Sequence, residues 1–373
     1  MIAWGVVGFL AVVATQVGED LGVALPVVFL GTSVMFVAMG LASPFAGRGF
    51  AKFGARRVMA LGAALIGAGF CVIASAPSEM FFLFGWALTG IAGSMFLTTA
   101  AYVYLADHSD DRARSMIGTL MLVTGLAGSV FWPITAFLDQ MIGWRGAAFV
   151  YAGVMALLIC PLVFFCLPET QADDTSAPSK GRAVSATDPT FLLIVLTIVL
   201  NGFVTFGIET VGIELLRAMG TELSLAVGIA SLLGFFKVSG RVIDLLGGKK
   251  WDGLSTARVS GATIPLGLIA LALGGIGFWP LASFLCLFGV GSGAFAVARA
   301  TMPLVFYKKS DYAAAMATIA LPMNLINAFA PPALATLLVE SGPYAVLGLL
   351  TGISSLSFVV LLNLKKSGNN EGA

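Results

Sequence analysis

Three ionisable side chains interrupt long apolar runs in this sequence: Glu209, Lys237 and Arg299. In a membrane span each costs roughly 2.5–3.5 kcal/mol to insert, so such residues face a cavity or a partner. Glu209 has company. Asn201, Thr205 and Glu209 recur at i, i+4 and i+8, a polar stripe along one helical face. An acid in an apolar helix can take up and release a proton as its hydration changes, which makes Glu209 the candidate for proton coupling. The competing reading is an inert acid in a water-filled vestibule, or one paired to a neighbour. A cation beside it, Arg299 or Lys237, would hold it ionised and remove the basis for coupling. Arg299 offers a planar fork suited to a carboxylate, hence anion recognition. Snorkelling to a headgroup layer, or pairing with Asp244, competes with that reading. Lys237 carries the same two readings.

Other polar side chains mark the same runs. Ser94, Thr98 and Tyr102 form an i, i+4, i+8 hydroxyl stripe, as suited to a solute as to helix–helix hydrogen bonding. Asn324 and Asn327 lie three apart on one face, and amides in lipid need a partner or a cavity. Trp132 before Pro133 reads as a cavity wall or as a packed kink, and Trp4 as a second aromatic wall. Glu214 is expected to be solvated, and Trp144 and Trp279 to sit in an interfacial belt.

Much chemistry is excluded. The one histidine, His108, falls in a polar stretch. The four cysteines, Cys71, Cys160, Cys166 and Cys286, lie in apolar runs without a CxxC and read as small packed hydrophobes, not metal ligands or a disulfide framework. There is no Gly-x4-Gly-Lys-Ser/Thr loop for ATP. An intramembrane enzyme would need a nucleophile–base pair or paired acids, which the runs lack. No cofactor, metal or nucleic acid is expected.

The elements that must position these residues follow from composition. The chain has 373 residues, 58% hydrophobic and 10% charged, where soluble domains carry about a quarter charged. Mean hydropathy is +0.98. Polar punctuation leaves twelve apolar segments, near 1–17, 24–46, 57–76, 79–105, 114–138, 145–167, 190–216, 223–245, 256–276, 280–306, 311–338 and 343–364. Each is about the ~20 residues that cross a bilayer. Backbone groups in lipid must be satisfied within the segment, so these are helices; their continuous apolar character excludes a barrel. The first segment lacks the basic region and cleavage site of a secretory leader and reads as a membrane helix, with a start a few residues upstream left open.

Sixteen of the twenty Lys and Arg fall on one side if both termini face the cytoplasm, against Arg145 and Arg217 on the other. Residues 168–189 are polar, rich in Ser, Ala, Pro and Asp, and read as a cytoplasmic linker. The expected layout is a six-helix bundle over 1–167, that linker, a second bundle over 190–366 and a disordered tail over 367–373. The halves look related. Gly47-Arg48-Gly49 leads through Lys52 to Gly54, then Arg56-Arg57; Gly240-Arg241 leads through Asp244 to Gly247, then Lys249-Lys250. Duplicated halves are common in transporter folds.

These two stretches resemble the G-x-x-x-D-R-x-G-R-R signature of the major facilitator superfamily. Gly47, Lys52, Gly54 and Arg56 match it; Ala51 stands where the family has its acid, and Asp244 keeps an acid in the second half. The resemblance spans the chain, through Leu-Pro-Glu-Thr at 167–170, Val130-Phe131-Trp132-Pro133, Gly143-Trp144-Arg145-Gly146 and Ala298 to Leu304. It implies an all-α membrane fold of twelve helices in two pseudo-symmetric bundles, rocking about a central site lined by segments 1, 4, 7 and 10. It implies a gate built from Gly47, Lys52, Gly54, Arg56, Arg57, Gly240, Arg241 and Asp244. Within the superfamily the chain looks closer to monocarboxylate and oxalate/formate porters than to drug/proton antiporters, since the fifth segment lacks their Gly-Pro pair. The expected function is secondary transport of a small organic anion by a monomer in a bacterial inner membrane, with protons as the candidate coupling ion. An uncharged or aromatic metabolite, vitamin or drug-like compound is the alternative solute, and a non-transporting sensor or scaffold the alternative class.

Overall fold

The computed structural model describes residues 1–97, 100–101, 104, 113–168, 188–247, 251–306 and 309–364. All regular structure among them is helical. The first half contains α1 (Ile2–Val7), α2 (Leu10–Leu21), α3 (Leu25–Phe53), α4 (Ala55–Ala74), α5 (Glu79–Phe96), α6 (Ala113–Gly125), α7 (Ala127–Gly153) and α8 (Cys160–Cys166). The second contains α9 (Pro189–Ala218), α10 (Leu223–Gly247), α11 (Gly253–Gly274), α12 (Phe278–Phe284), α13 (Val290–Thr301), α14 (Pro303–Phe306), α15 (Lys309–Ser341) and α16 (Pro343–Asn363). Short π-helical stretches, Val154–Ile159 and Leu285–Gly289, join α7 to α8 and α12 to α13.

Eleven helical stretches among the described residues are long and apolar enough to cross a membrane. One of them, Thr119–Cys166, is 48 residues long, about 72 Å if straight and far more than a bilayer. It is not straight. Gly143 takes φ 72° and ψ 167°, and the Thr135 and Tyr151 hydroxyls, sixteen residues apart, lie 2.6 Å from each other. The chain therefore doubles back at Gly143, a turn that a Cβ would strain.

Two expected boundaries move. The second segment runs on to Phe53, so Gly47, Arg48 and Lys52 lie on α3 and not in a loop. Nothing before Gly54 stops the helix; Gly54 does, at φ 80° and ψ 152°. In the second-half motif Arg241 and Asp244 are likewise helical, within α10. The fourth segment is broken: α5 ends at Phe96 and Leu97 is extended, and Ala100, Ala101 and Tyr104 beyond it are helical again. Thr98 and Tyr102 lie outside the described residues, as do His108, residues 169–187 and the tail 365–373.

Packing inverts the soluble pattern. Leu41, Leu157, Phe165 and Leu273 are more than two-thirds exposed, as lipid-facing side chains are. Cys71, Cys166 and Cys286 also face outward, which corrects their reading as packed interior residues. In the first half α4 packs on α5 and α7, and α3 on α5; in the second, α9 packs on α15 and α16, and α11 on α13 and α16. The halves meet where α3 lies along α15, α7 along α10, and α2 against α9.

Candidate functional site

α9 begins with a sequence-encoded cap: Asp188 accepts from the Thr190 amide at 3.1 Å, with Pro189 at the first position. Its polar stripe then points into the protein. Asn201 is 3% exposed, and the Thr205 hydroxyl donates to its carbonyl at 2.9 Å. One turn further, the Glu209 carboxylate accepts a hydrogen bond from the Lys237 ammonium on α10. Lys237 is buried, whereas the Glu209 side chain is 41% exposed. Behind Lys237, Gly293 and Gly240 let α10 and α13 come into backbone contact; any side chain there would strike Lys237 or Val290 carbonyls. The Lys237 backbone is thus held against α13, and its ammonium is faced by a carboxylate that is 41% exposed. A buried charge left without that partner would be costly.

Arg299 is not brought to Asp244. Its Nη1 lies 3.3 Å from the Met323 thioether on α15, and Asp244 accepts instead from the Thr256 hydroxyl at 2.5 Å. Asn324 and Asn327 are half-buried on the same helix, the first next to Met323 and the second one turn on from it. Asn327 Oδ1 comes within 4.0 Å of the place a Gly202 Cβ would occupy, which puts it beside α9. Trp132 takes the packed alternative. Its indole donates to the Gly8 carbonyl at 3.2 Å, at the break between α1 and α2. Ser94 bonds within its own helix, to Ile91 O at 2.7 Å.

The residues expected to form a gate divide in two. On α3, the Arg48 and Lys52 cations stand over the Phe45 and Phe53 rings, at 5.7 and 5.2 Å, and Arg56 stands over Phe164 at 5.5 Å. Arg57, next on α4, is partnered as well. Gly47 faces open space. The second-half copy reaches across: Arg241 donates to the Met121 carbonyl of α6 and packs on Gly125.

One cluster escaped the sequence reading. Glu214 is not solvated but 6% exposed. Arg217 holds both its oxygens at 3.2 Å and also donates to Thr15 Oγ1 at 2.8 Å, from α9 to α2. The i, i+3 acid–base spacing was the available signal. Trp144 is also misplaced in an interfacial belt. It is buried and donates to Asp20 at 3.2 Å, beside an Arg145–Asp20 bridge at 2.8 Å. Trp279 is 77% exposed.

Comparison with known proteins gives the same lineage. The chain is 26% identical over 198 residues to multidrug resistance protein MdtL of Klebsiella pneumoniae (strain 342), covering 51% of this chain and 50% of that protein. It is 26% identical over 235 residues to MdtL of Shigella dysenteriae serotype 1, covering 59% of each. The matches thus span about half to three-fifths of these curated relatives. Among solved structures, the nucleoside transporter NupG superposes with a TM-score of 0.77 at 11% identity, covering 98% of this chain and 96% of that one. A D-xylose–proton symporter gives 0.75 at 13%, with 98% and 97% covered. The human organic anion transporter MFSD10 (TETRAN) gives 0.64 at 18%, with 96% and 89% covered. At these identities the likeness is one of fold. The family model of the Major Facilitator Superfamily matches residues 1–251, two-thirds of the chain and both copies of the glycine–arginine motif up to its second basic pair. With helix-only architecture, duplicated motifs and this match, the chain belongs to the major facilitator superfamily.

Proposed function

We propose that this chain is a secondary transporter, not an enzyme, which carries a small organic solute across a bacterial inner membrane by alternating access. Counting the two limbs at Gly143 as separate crossings gives twelve helices, six on each side of the 168–189 linker. The Lys and Arg distribution puts both termini and the linker in the cytoplasm. Labelling of single cysteines with an impermeant reagent tests this: a site at 220, and not one at 178, reacts from outside intact cells. The reverse pattern overturns the orientation.

The observation that carries the reading is the Glu209–Lys237 pair between α9 and α10. It supports, of the two readings of Glu209, the one in which a neighbouring cation holds the carboxylate as a counterion. It also takes Lys237 out of the count of spare cations. We therefore place the solute anion in competition with Glu209. An incoming carboxylate replaces Glu209 at the buried ammonium, with Arg299 as the second cation, and the displaced Glu209 loses the counterion that keeps it ionised. Proton coupling on this scheme requires the pair to part. A second reading has its own support: the ion pair is internally neutral, and the curated relatives are named for multidrug resistance. An uncharged or aromatic drug-like solute would leave the pair closed.

The test is binding and flux in proteoliposomes. Under the anion reading, Lys237→Gln and Arg299→Gln each weaken binding of a monocarboxylate panel, and counterflow persists in wild type. A neutral compound bound equally by wild type and both variants, with no carboxylate bound, supports the second reading. No flux of any solute removes transport itself.

A further inference from the structure

One cavity lies away from the Glu209–Lys237 pair. It is a groove of about 540 Å³ on the flank of the second half, between α9, α15 and α16, within the size range of small-molecule sites. Phe203, Ile326, Phe329, Leu337, Leu349 and Ile353 wall it. Phe329 is 62% exposed and Leu349 41%, so the groove opens sideways, onto the surface that other exposed aliphatic side chains mark as lipid-facing. Its floor is made by Phe203, whose ring lies 6.5 Å from that of Phe329.

Two features say what fills it. The first is length. Along α15 the wall runs from Ile326 to Glu340, fourteen residues or about 21 Å. That takes in 15 of the 21 residues of the Leu321–Ser341 crossing and ends at its last turn, so it covers the ~15 Å of one leaflet of a ~30 Å hydrocarbon core with about one helical turn beyond. The second is charge. Glu340 is the sole ionisable residue lining the groove, at the end next to the α15–α16 turn. Among the described residues it has no ion-pair or hydrogen-bond partner. The other polar side chain, Thr336, is committed to the Pro332 carbonyl at 2.9 Å. An apolar trough a leaflet and a helical turn long, with an unmatched carboxylate at its headgroup end, is complementary to an acyl chain whose headgroup donates from an ammonium.

We propose that this groove is a lipid site which seats one acyl chain of an amine-headed phospholipid, its ammonium on Glu340. The ammonium N–H groups are required: a quaternary headgroup has charge but no hydrogen to donate. The site is separate from the Glu209–Lys237 pair and rests on no part of the transport reading. It also holds for either orientation in the membrane.

The full chain is reconstituted in nanodiscs of phosphatidylethanolamine and phosphatidylcholine in equal parts, and retained lipid is counted by native mass spectrometry after mild delipidation. Wild type should keep phosphatidylethanolamine over phosphatidylcholine by at least about fivefold. Glu340→Gln, at an exposed helix end where folding is not at stake, should retain both equally. Ala333→Trp fills the trough and should retain neither beyond background, with an unchanged thermal midpoint. Equal retention of the two lipids by wild type, or an undiminished preference in Glu340→Gln, overturns the headgroup assignment and with it the proposal. Unchanged retention in a folded Ala333→Trp protein overturns the groove.

Discussion

α9 carries two acid–base pairs five residues apart, and they are built in opposite ways. At Glu209–Lys237 the base is buried and the acid is 41% exposed, and the partners sit on different helices. At Glu214–Arg217 the acid is buried and the base is 31% exposed, and both sit on α9 at i, i+3. A pair within one helix keeps its geometry however that helix moves. A pair between helices holds only while α9 and α10 keep their present relation. The first can therefore respond to a solute, whereas the second locks a charge that then reaches Thr15 in the other half.

The asymmetry can be broken at four points. The largest effect is expected from Arg217→Gln, which strands the buried Glu214 carboxylate. It should cost about 3 kcal/mol of stability, against about 1 kcal/mol for Glu214→Gln, which leaves a cation able to reach water. Thermal midpoints of the two variants in one detergent measure it; equal losses would mean that burial does not decide which partner matters.

Next comes Glu209→Gln, which strands Lys237. About 2 kcal/mol is expected, less than for Arg217→Gln because Glu209 is already partly hydrated. Its sharper readout is transport: pH-gradient-driven accumulation should vanish while counterflow survives in the same liposomes. Normal accumulation removes Glu209 from coupling, and loss of both activities points to a binding or structural role.

Lys237→Gln should leave the fold nearly intact, since Glu209 can turn to water, yet weaken anion binding about tenfold, or 1.4 kcal/mol. Arg299→Gln should act in the same direction. Unchanged dissociation constants in both would end the anion reading and favour a neutral solute. The smallest effect is expected from Thr15→Val, which removes Arg217's contact in the opposite half. The loss of one hydrogen bond, about 1 kcal/mol, should speed labelling of a cysteine placed on that seam. An unchanged rate would make the Arg217–Thr15 contact incidental.

These pairs also mark where sequence reasoning stops. Helical spans and the polar stripe of Asn201, Thr205 and Glu209 were legible because they depend on neighbours within a turn or two. The Gly54 stop and the Asp188 and Asp252 caps of α9 and α11 are equally local, acting through one residue's backbone angles or through amides two or three residues on, but were not read from the sequence. Trp144 and Glu214 were misread because interfacial residue types say nothing about what another helix brings. Asp20 is 124 residues from Trp144, and Thr15 is 202 from Arg217. The branch within the superfamily was not legible either, since a few side chains in a cavity set it.

By itself the sequence determined that this chain is a bundle of membrane helices with few intramembrane charges, because lipid forces every backbone group to bond within its own segment and makes each charge costly. It also determined which residues carry those charges. Only the tertiary structure decided that Glu209 faces Lys237 and not Arg299, that Trp132 closes the first helix's break and that a lone carboxylate ends a lipid-facing groove. Partner choice between helices depends on their rotation and depth, and small residues such as Gly293 and Gly240 set those through contacts far apart in the chain.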